Sequence, residues 1–134
     1  MPSRRVRLAL SALVLAAAGA AATVAVLDQR AKQTRLAVAL TGGDPERAVA
    51  SATKFGCAAC HEIPGVAAPG GLAAPSLAGF AKRIYIGGVA ENSPDNLVRW
   101  IVDPKQFSQD TAMPVTGIGI GEARDIAAYL YRER

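Results

Sequence analysis

The chain has 134 residues, 51% of them hydrophobic and 19% charged, which leaves room for one domain and little more. Its net charge of +4 is unevenly distributed, because the first 40 residues carry six Lys or Arg against one Asp, whereas residues 41–134 carry nine against ten acidic side chains. The globular part is therefore nearly neutral. Without a basic stripe or a recognised module, it gives no case for nucleic-acid binding.

The N-terminal segment has the length and composition of a membrane anchor. Leu8 to Leu27 is a run of twenty residues without a charged side chain. As a helix it measures about 30 Å, the thickness of a bilayer's hydrocarbon core. The arginines of "RRVR" before it favour a cytoplasmic N-terminus, which places everything after Asp28 on the opposite side. A cleaved signal peptide is the alternative, because small residues around Ala18 to Ala22 provide cleavage sites, and both interpretations export the domain.

The sequence thus divides into an anchor (residues 1–27), a linker (residues 28–43) and one domain (residues 44–134). The linker begins polar and ends in Gly42 and Gly43. This pattern predicts either a few further turns of helix that stop at the glycines or a flexible tether.

The domain is predicted to be all-α, with short helices and long loops. "DPERAVASATKFG" has Asp44 as N-cap, so we expect a helix from there to Gly56. Helical patterns also occupy "NSPDNLVRWIVDP", with Ser93 as N-cap, and the C-terminal "GEARDIAAYLYRER". The Gly- and Pro-rich stretch from Glu62 to Phe80 predicts an irregular loop, and no run alternates with period two. The core is small for such a chain, and a large apolar cofactor would supply the missing interior.

Both cysteines and the only histidine lie together in "CAACH", as Cys57, Cys60 and His61. A structural zinc site needs four protein ligands, and the chain has no second ligand pair. A dithiol redox pair normally begins a helix in a βαβ unit, and a disulfide across two residues is strained. The remaining interpretation is covalent c-type haem, for which Cys-x-x-Cys-His is the attachment signature. The cysteines would form thioethers to the porphyrin, and His61 would be the proximal ligand of the iron.

The sixth position of such an iron decides between electron transfer and catalysis. With no other histidine, the candidates are Met113, a lysine such as Lys82 or Lys105, or no protein ligand. Met113 is the only methionine besides Met1, and Pro114 stiffens the loop that presents it. Core filler is the ordinary role of a lone methionine, but beside a haem we predict ligation by Met113. A thioether opposite imidazole raises the reduction potential and closes the iron to substrates.

Several motifs occur in a fixed order along the chain, namely "CAACHEIPG", "PSL", "YIGG", "NSPDNLVRWIVDP", "AMP" and "ARDIAAYLY". In that order they resemble a class I cytochrome c, most closely the cytochrome c domains associated with subunit II of haem-copper oxidases. The resemblance implies that residues 44–134 form three to five short helices around one covalent haem. A binuclear copper motif is absent because both cysteines are committed to haem, so the chain is not expected to be subunit II itself.

The resemblance also implies roles for residues outside the motif. Pro75 would offer its carbonyl to the free ring nitrogen of His61, and Leu77 would pack on the haem face. The candidates for the propionate side are Arg83, Tyr85 and Trp100. Ordinary core packing is the alternative for the two aromatic residues.

These expectations describe a membrane-tethered monohaem cytochrome c in the periplasm of a bacterium, at the inner membrane, which carries electrons and is not itself an enzyme. It would pass single electrons from a quinol-oxidising complex or another carrier to a terminal oxidase of a respiratory chain. An electron-accepting subunit of a periplasmic dehydrogenase is the second hypothesis, and a haem enzyme or gas sensor is the third. A nearly neutral domain favours docking through an apolar patch, which we expect in the loop Ile63 to Leu72.

Overall fold

The computed structural model of the chain describes residues 3–67 and 73–133 and comprises two compact units, Met1–Lys32 and Gln33–Arg134. In chain order the helices and strands are α1 (Arg4–Thr41), α2 (Ala48–Lys54), β1 (Tyr85–Ile86), β2 (Ala90–Glu91), α3 (Pro94–Val102) and α4 (Ile120–Arg132). Single 3₁₀ turns occupy Cys57–Ala59, Phe80–Lys82 and Pro104–Gln106. The described residues are mostly helical, as predicted, and the small antiparallel hairpin of β1 and β2 is an addition.

The first unit consists of one stretch of helix α1. This helix is long enough and apolar enough to cross a membrane, as the run from Leu8 to Leu27 predicts. Every side chain that the structure describes in this unit is exposed. The side chains of a helix that is apolar on every face are removed from water only when other apolar groups surround the helix. The hydrocarbon core of a bilayer provides such surroundings.

Helix α1 continues past the apolar run and ends at Thr41. Of the two predictions for the linker, further turns of helix or a flexible tether, the structure shows the helix. Gly42 follows with a φ of 67°, a left-handed conformation that side chains disfavour. Thr41 Oγ1 donates to Ala37 O at 2.8 Å and accepts from Gly43 N at 3.2 Å. Ala37 and Thr41 are buried in the second unit, which begins at Gln33, inside the predicted linker.

Helix α2 begins later than its N-cap pattern predicted. Asp44 Oδ1 accepts a hydrogen bond from Glu46 N at 3.0 Å, but the N-cap of the helix is Arg47, so the prediction of Asp44 as N-cap is wrong. The next two amides, of Arg47 and Ala48, bond to carbonyls three residues back, which makes the predicted first turn a tight turn. The regular helix therefore starts at Ala48. Gly56, with a φ of 71°, follows its end.

Helices α2 and α4 pack against each other. Small side chains buried on the two helices, each at most 3% exposed, are Ala48, Ala52, Ala123 and Ala127. The buried carboxylate of Asp125 accepts hydrogen bonds from Arg47 Nε at 2.9 Å and from Asp44 N at 2.7 Å. The hydrogen bond from Arg47 holds the pKa of Asp125 below its usual value. A charged contact thus fixes the chain entering α2 against the middle of α4.

Helix α4 lies at the centre of the core. The predicted apolar stripe is buried and comprises Ala123, Ile126, Ala127 and Leu130. Glu122 Oε2 accepts a hydrogen bond from Gly119 N at 3.2 Å, and Glu122 Oε1 pairs with Lys54 Nζ at 2.7 Å. Tyr129 and Tyr131 are buried as well, so the helix is covered on more of its surface than the stripe predicted.

Helix α3 forms as its sequence predicts. Ser93 Oγ accepts a hydrogen bond from Asn96 N at 3.3 Å, and Pro94 opens the helix. In the preceding hairpin, Gly87 has a φ of 56° and lies so close to the Trp100 ring that a side chain there would clash. Strands of two residues are too short to show an alternating pattern, and for that reason sequence periodicity missed them.

Candidate haem site

The segment Cys57 to His61 forms one tight helical turn. Gly56 reverses the chain after α2, and the amides of Cys60 and His61 both donate to Cys57 O, at 3.3 and 3.0 Å. Cys57 and Cys60 are three residues apart in this turn, so their side chains lie on the same side of it. Cys57 is half-buried, Cys60 is exposed, and the two thiols are not joined in a disulfide.

The ring of His61 is oriented by a carbonyl from a distant part of the loop. His61 Nδ1 lies 2.8 Å from Pro75 O. A carbonyl oxygen only accepts hydrogen bonds, so Nδ1 is the donor in this contact, and in the neutral ring the lone pair then lies on Nε2. This is the hydrogen bond that the resemblance implies for Pro75, and it leaves Nε2 available as a ligand atom.

Backbone hydrogen bonds hold the segment around Pro75 beside the turn. Ala74 N donates to Cys60 O at 2.9 Å, and Leu77 N donates to Glu62 O at 2.8 Å. The two bonds flank the contact between Pro75 and His61. The position of the Pro75 carbonyl is therefore set by the main chain on both sides of it.

The thiol of Cys57 has an environment unlike that of a redox-active cysteine. Burial raises the pKa of this thiol, an effect larger than the opposing one of its backbone hydrogen bond. Catalytic dithiols need a lowered pKa because the thiolate is the nucleophile.

Among the residues the structure describes, no group of three or more His, Cys, Asp and Glu side chains is placed to hold a metal ion.

The chain after the motif packs inward. Tyr129 OH donates a hydrogen bond to Pro64 O at 2.5 Å. The same hydroxyl lies so close to Gly65 that a side chain at that position would clash with it. Ile63 and Val66 are buried, at 4% and 9% exposure. The predicted docking patch is wrong for these two residues because they contribute to the core. Ala67 is exposed, and the rest of the predicted patch, residues 68–72 with Leu72, lies outside the described residues.

Met113 lies in the loop between the turn Pro104–Gln106 and helix α4. Its side chain is half-buried and packs against the same apolar core as Cys57 and Leu77. Its amide donates to Thr111 Oγ1 at 3.2 Å. Met113, Cys57 and Leu77 thus each pack against this core, although they are far apart in sequence.

The two lysines that compete with Met113 as ligands have different surroundings. Lys82 is exposed. Lys105 Nζ donates to the carbonyl oxygens of Gln109 and Thr111, at 2.8 and 2.6 Å. Sequence reasoning missed this contact because nothing in a lysine's sequence context shows which carbonyls a folded loop will present to it.

The three candidates for the propionate side differ in burial. The Arg83 guanidinium donates to Ser76 O and lies 5.2 Å from the centre of the Phe80 ring. Trp100 is 8% exposed and packs against Phe107, so it contributes to the core. Tyr85 is 60% exposed, and the core-packing alternative is therefore wrong for it.

The comparisons with known proteins returned no relative: no family model, curated protein or solved structure matches this chain.

Proposed function

We propose that the protein is a membrane-tethered electron carrier with one covalently attached c-type haem. In this proposal Cys57 and Cys60 form the thioether attachments, and His61 and Met113 are the iron ligands. The observation that carries it is the hydrogen bond of 2.8 Å between His61 Nδ1 and Pro75 O. A histidine whose second nitrogen donates to a carbonyl is the usual arrangement of a metal-bound imidazole.

The residues around His61 fit such a group. One turn presents two thiols on one side, followed at once by an imidazole with a free Nε2. Half-buried apolar side chains packed against the core offer a surface for a large apolar ring, and they include Phe55, Leu77, Phe107 and Met113. The haem supplies a one-electron couple between its ferric and ferrous forms. The chain's own part is to hold the ring, orient the imidazole and exclude water.

The proposed role of Met113 argues for electron transfer over catalysis. A thioether is a soft ligand that favours the reduced iron, and it occupies the position that a substrate or gas would need. Met113 is half-buried against the core, and its amide donates a hydrogen bond to the Thr111 hydroxyl. Both features suit a residue that stays in place through a redox cycle.

The proposed location is the periplasmic face of a bacterial inner membrane. Helix α1 provides the anchor, and the arginines before its apolar run favour a cytoplasmic N-terminus. Tethering raises the local concentration of the carrier near membrane partners, so weak docking suffices. For a nearly neutral domain we propose a terminal oxidase of a respiratory chain as acceptor, with a quinol-oxidising complex or another carrier as donor. An electron-accepting subunit of a periplasmic dehydrogenase is the alternative.

The decisive test is carbon monoxide binding to the reduced, haem-loaded protein. We expect the wild type to resist CO at neutral pH, because Met113 fills the sixth position. Met113→Ala should bind CO readily and show a lower reduction potential. Lys82→Ala is the matched control, since it removes the exposed lysine and should leave both properties unchanged. Ready CO binding by the wild type, or an unchanged spectrum in Met113→Ala, would refute the ligand assignment.

The partner is tested separately in membranes. The haem-stained protein is solubilised in mild detergent and isolated, and the proteins that accompany it are identified. A haem-copper oxidase in the complex supports the proposed acceptor. A dehydrogenase in its place supports the alternative, and migration of the protein alone contradicts stable membership of either complex.

A further inference from the structure

The loop that carries Met113 has little regular backbone structure. Among the described residues, three amides of the segment from 107 to 119 donate to main-chain carbonyls, those of Phe107 and Ser108 to Pro104 O and that of Thr111 to Ser108 O. Main-chain hydrogen bonding among these residues therefore reaches Thr111, at 3.3 Å, and does not include the amides of Ala112 and Met113. A side chain also holds the loop, because Lys105 Nζ reaches into it and donates to two of its carbonyls, those of Gln109 and Thr111.

The backbone of Lys105 is held by contacts of its own. Lys105 follows Pro104, which is buried, and its amide donates to Asp103 Oδ1 at 3.0 Å. Gln109 returns a hydrogen bond from its Nε2 to Lys105 O at 3.0 Å. The lysine and the loop are thus joined in both directions. The ammonium contacts, at 2.8 and 2.6 Å, have the short lengths of charge-assisted hydrogen bonds.

The contact with Thr111 extends to Met113. The carbonyl of Thr111 accepts from Lys105, and the hydroxyl of Thr111 accepts from the amide of Met113 at 3.2 Å. A single residue therefore connects the ammonium to the main chain of the proposed ligand. Any shift of the Thr111 backbone moves the point from which the Met113 side chain extends.

We propose that Lys105 is a positioning residue that holds the Met113 thioether at the iron, an inference that rests on the proposed function. Lys105 does not act as a ligand in this arrangement. Its nitrogen donates hydrogen bonds to two carbonyl oxygens, whereas a ligand atom must present a lone pair to the iron. Lys105 acts through the loop by limiting how often the segment from Gln109 to Met113 moves away from the core.

The test compares three variants of the full-length, haem-loaded protein. Lys105→Met keeps the aliphatic stem and removes the ammonium, whereas Lys105→Arg keeps the charge and at least two donors. Gln106→Met is the matched control in the same 3₁₀ turn, because Gln106 Nε2 donates to Asp103 Oδ2, at 3.2 Å, and to no other group in the part of the chain that the structure describes. The readouts are the thioether-to-iron charge-transfer band of the oxidised protein, its reduction potential, and the rate of CO binding to the reduced protein.

We expect Lys105→Met to bind CO about tenfold faster or more, the factor that corresponds to losing one charge-assisted hydrogen bond from the closed loop. Its charge-transfer band should weaken and its reduction potential should fall, while Lys105→Arg restores most of each property and Gln106→Met matches the wild type. Where Lys105→Met does not fold, Lys105→Gln serves in its place, because an amide removes the charge with less disturbance.

Each other outcome has a distinct meaning. A Lys105→Met protein with the wild-type CO rate and band overturns the positioning role, and so does a Lys105→Arg protein as perturbed as Lys105→Met. A wild type that lacks the charge-transfer band and binds CO at once refutes the proposed function instead. The wild-type measurement therefore separates failure of the inference from failure of the function on which it rests.

Discussion

The two sides of the proposed haem site are built by different kinds of contact. On the motif side, residues 55–66 and 73–77, main-chain hydrogen bonds form the turn and hold the Pro75 carbonyl beside His61. On the methionine side, residues 103–113, main-chain hydrogen bonds form the turn after Asp103 and reach Thr111, and the side chains of Lys105 and Thr111 connect this segment to Met113. The contact that orients His61 therefore depends on main-chain atoms, whereas the contacts that lead to Met113 depend on two individual side chains.

This difference has a consequence for tuning an electron carrier. A ligand held by the main chain keeps its geometry through most substitutions, because every residue provides a backbone carbonyl and every residue except proline a backbone N–H. A ligand held by one ammonium and one hydroxyl changes position with a single mutation. We therefore expect variation in reduction potential among mutants to arise mainly from the methionine side, and loss of the cofactor to arise mainly from the motif side.

The largest effect is expected from removing both attachment thiols. In the double variant Cys57→Ser and Cys60→Ser, the turn should persist because its hydrogen bonds come from the main chain. Covalent haem should be lost completely, since a hydroxyl does not replace the thioether sulfur. Haem staining after denaturing electrophoresis, together with the intact mass, measures the result.

The matched control for this prediction lies on the other side of the site. Met113→Ala removes a ligand but no attachment, so it should retain haem of unchanged mass. Haem that resists denaturation in the double serine variant would contradict the assignment of both cysteines.

A smaller effect, dependent on pH, is expected from Tyr131. Its hydroxyl donates to Asn92 Oδ1 at 2.7 Å, and Asn92 Nδ2 donates in turn to Phe80 O and Arg83 O in the chain that continues from the motif side. Burial raises the pKa of Tyr131 to about 12. An unfolded tyrosine ionises at about 10, so between these values the unfolded state loses its proton first and stability falls as pH rises.

Tyr131→Phe should lower the free energy of unfolding by about 1 kcal/mol at neutral pH, through the lost hydrogen bond. The variant should then lose less stability than the wild type as pH rises through the same window, because it has no phenol to ionise. Urea unfolding at a series of pH values measures both quantities. Parallel stability curves for the two proteins above pH 10 would contradict the raised pKa.

The sequence predicted those parts of the molecule that local chemistry determines. Ser93 and Pro94 begin α3 because a cap and a proline act on adjacent residues. The predicted start of α2 was too early because the amides after Asp44 form a tight turn. The same residues are compatible with a tight turn and with a regular helix, so the sequence pattern does not distinguish the two. The inward packing of this loop was also missed, since the Pro64 carbonyl next to Ile63 accepts a hydrogen bond from the distant residue Tyr129.

The candidate site shows the same limit. Cys57, Cys60 and His61 are adjacent, so their joint role was predictable from spacing. The Pro75 contact followed only from a resemblance, because no physical rule predicts which loop carbonyl a ring nitrogen will meet. Lys105 was considered as a ligand, whereas the structure shows its ammonium bonded to two carbonyls. Tertiary contacts of a flexible side chain require the folded coordinates.

The smallest predicted effect isolates the hydroxyl on the methionine side. Thr111→Val keeps the size and branching of the side chain but removes the acceptor of the Met113 amide, at 3.2 Å. The loss of one neutral hydrogen bond should lower the free energy of local opening by about 0.5 to 1 kcal/mol. Amide exchange at Met113 should then be roughly threefold faster. Thr53→Val is the matched control, because the exposed Thr53 hydroxyl bonds to Val49 O within α2 and not to this loop. Since the motif side is held by the main chain, exchange at His61 should stay constant in both variants. Equal acceleration at Met113 and His61 would show that the two sides open together, and would remove the distinction between them.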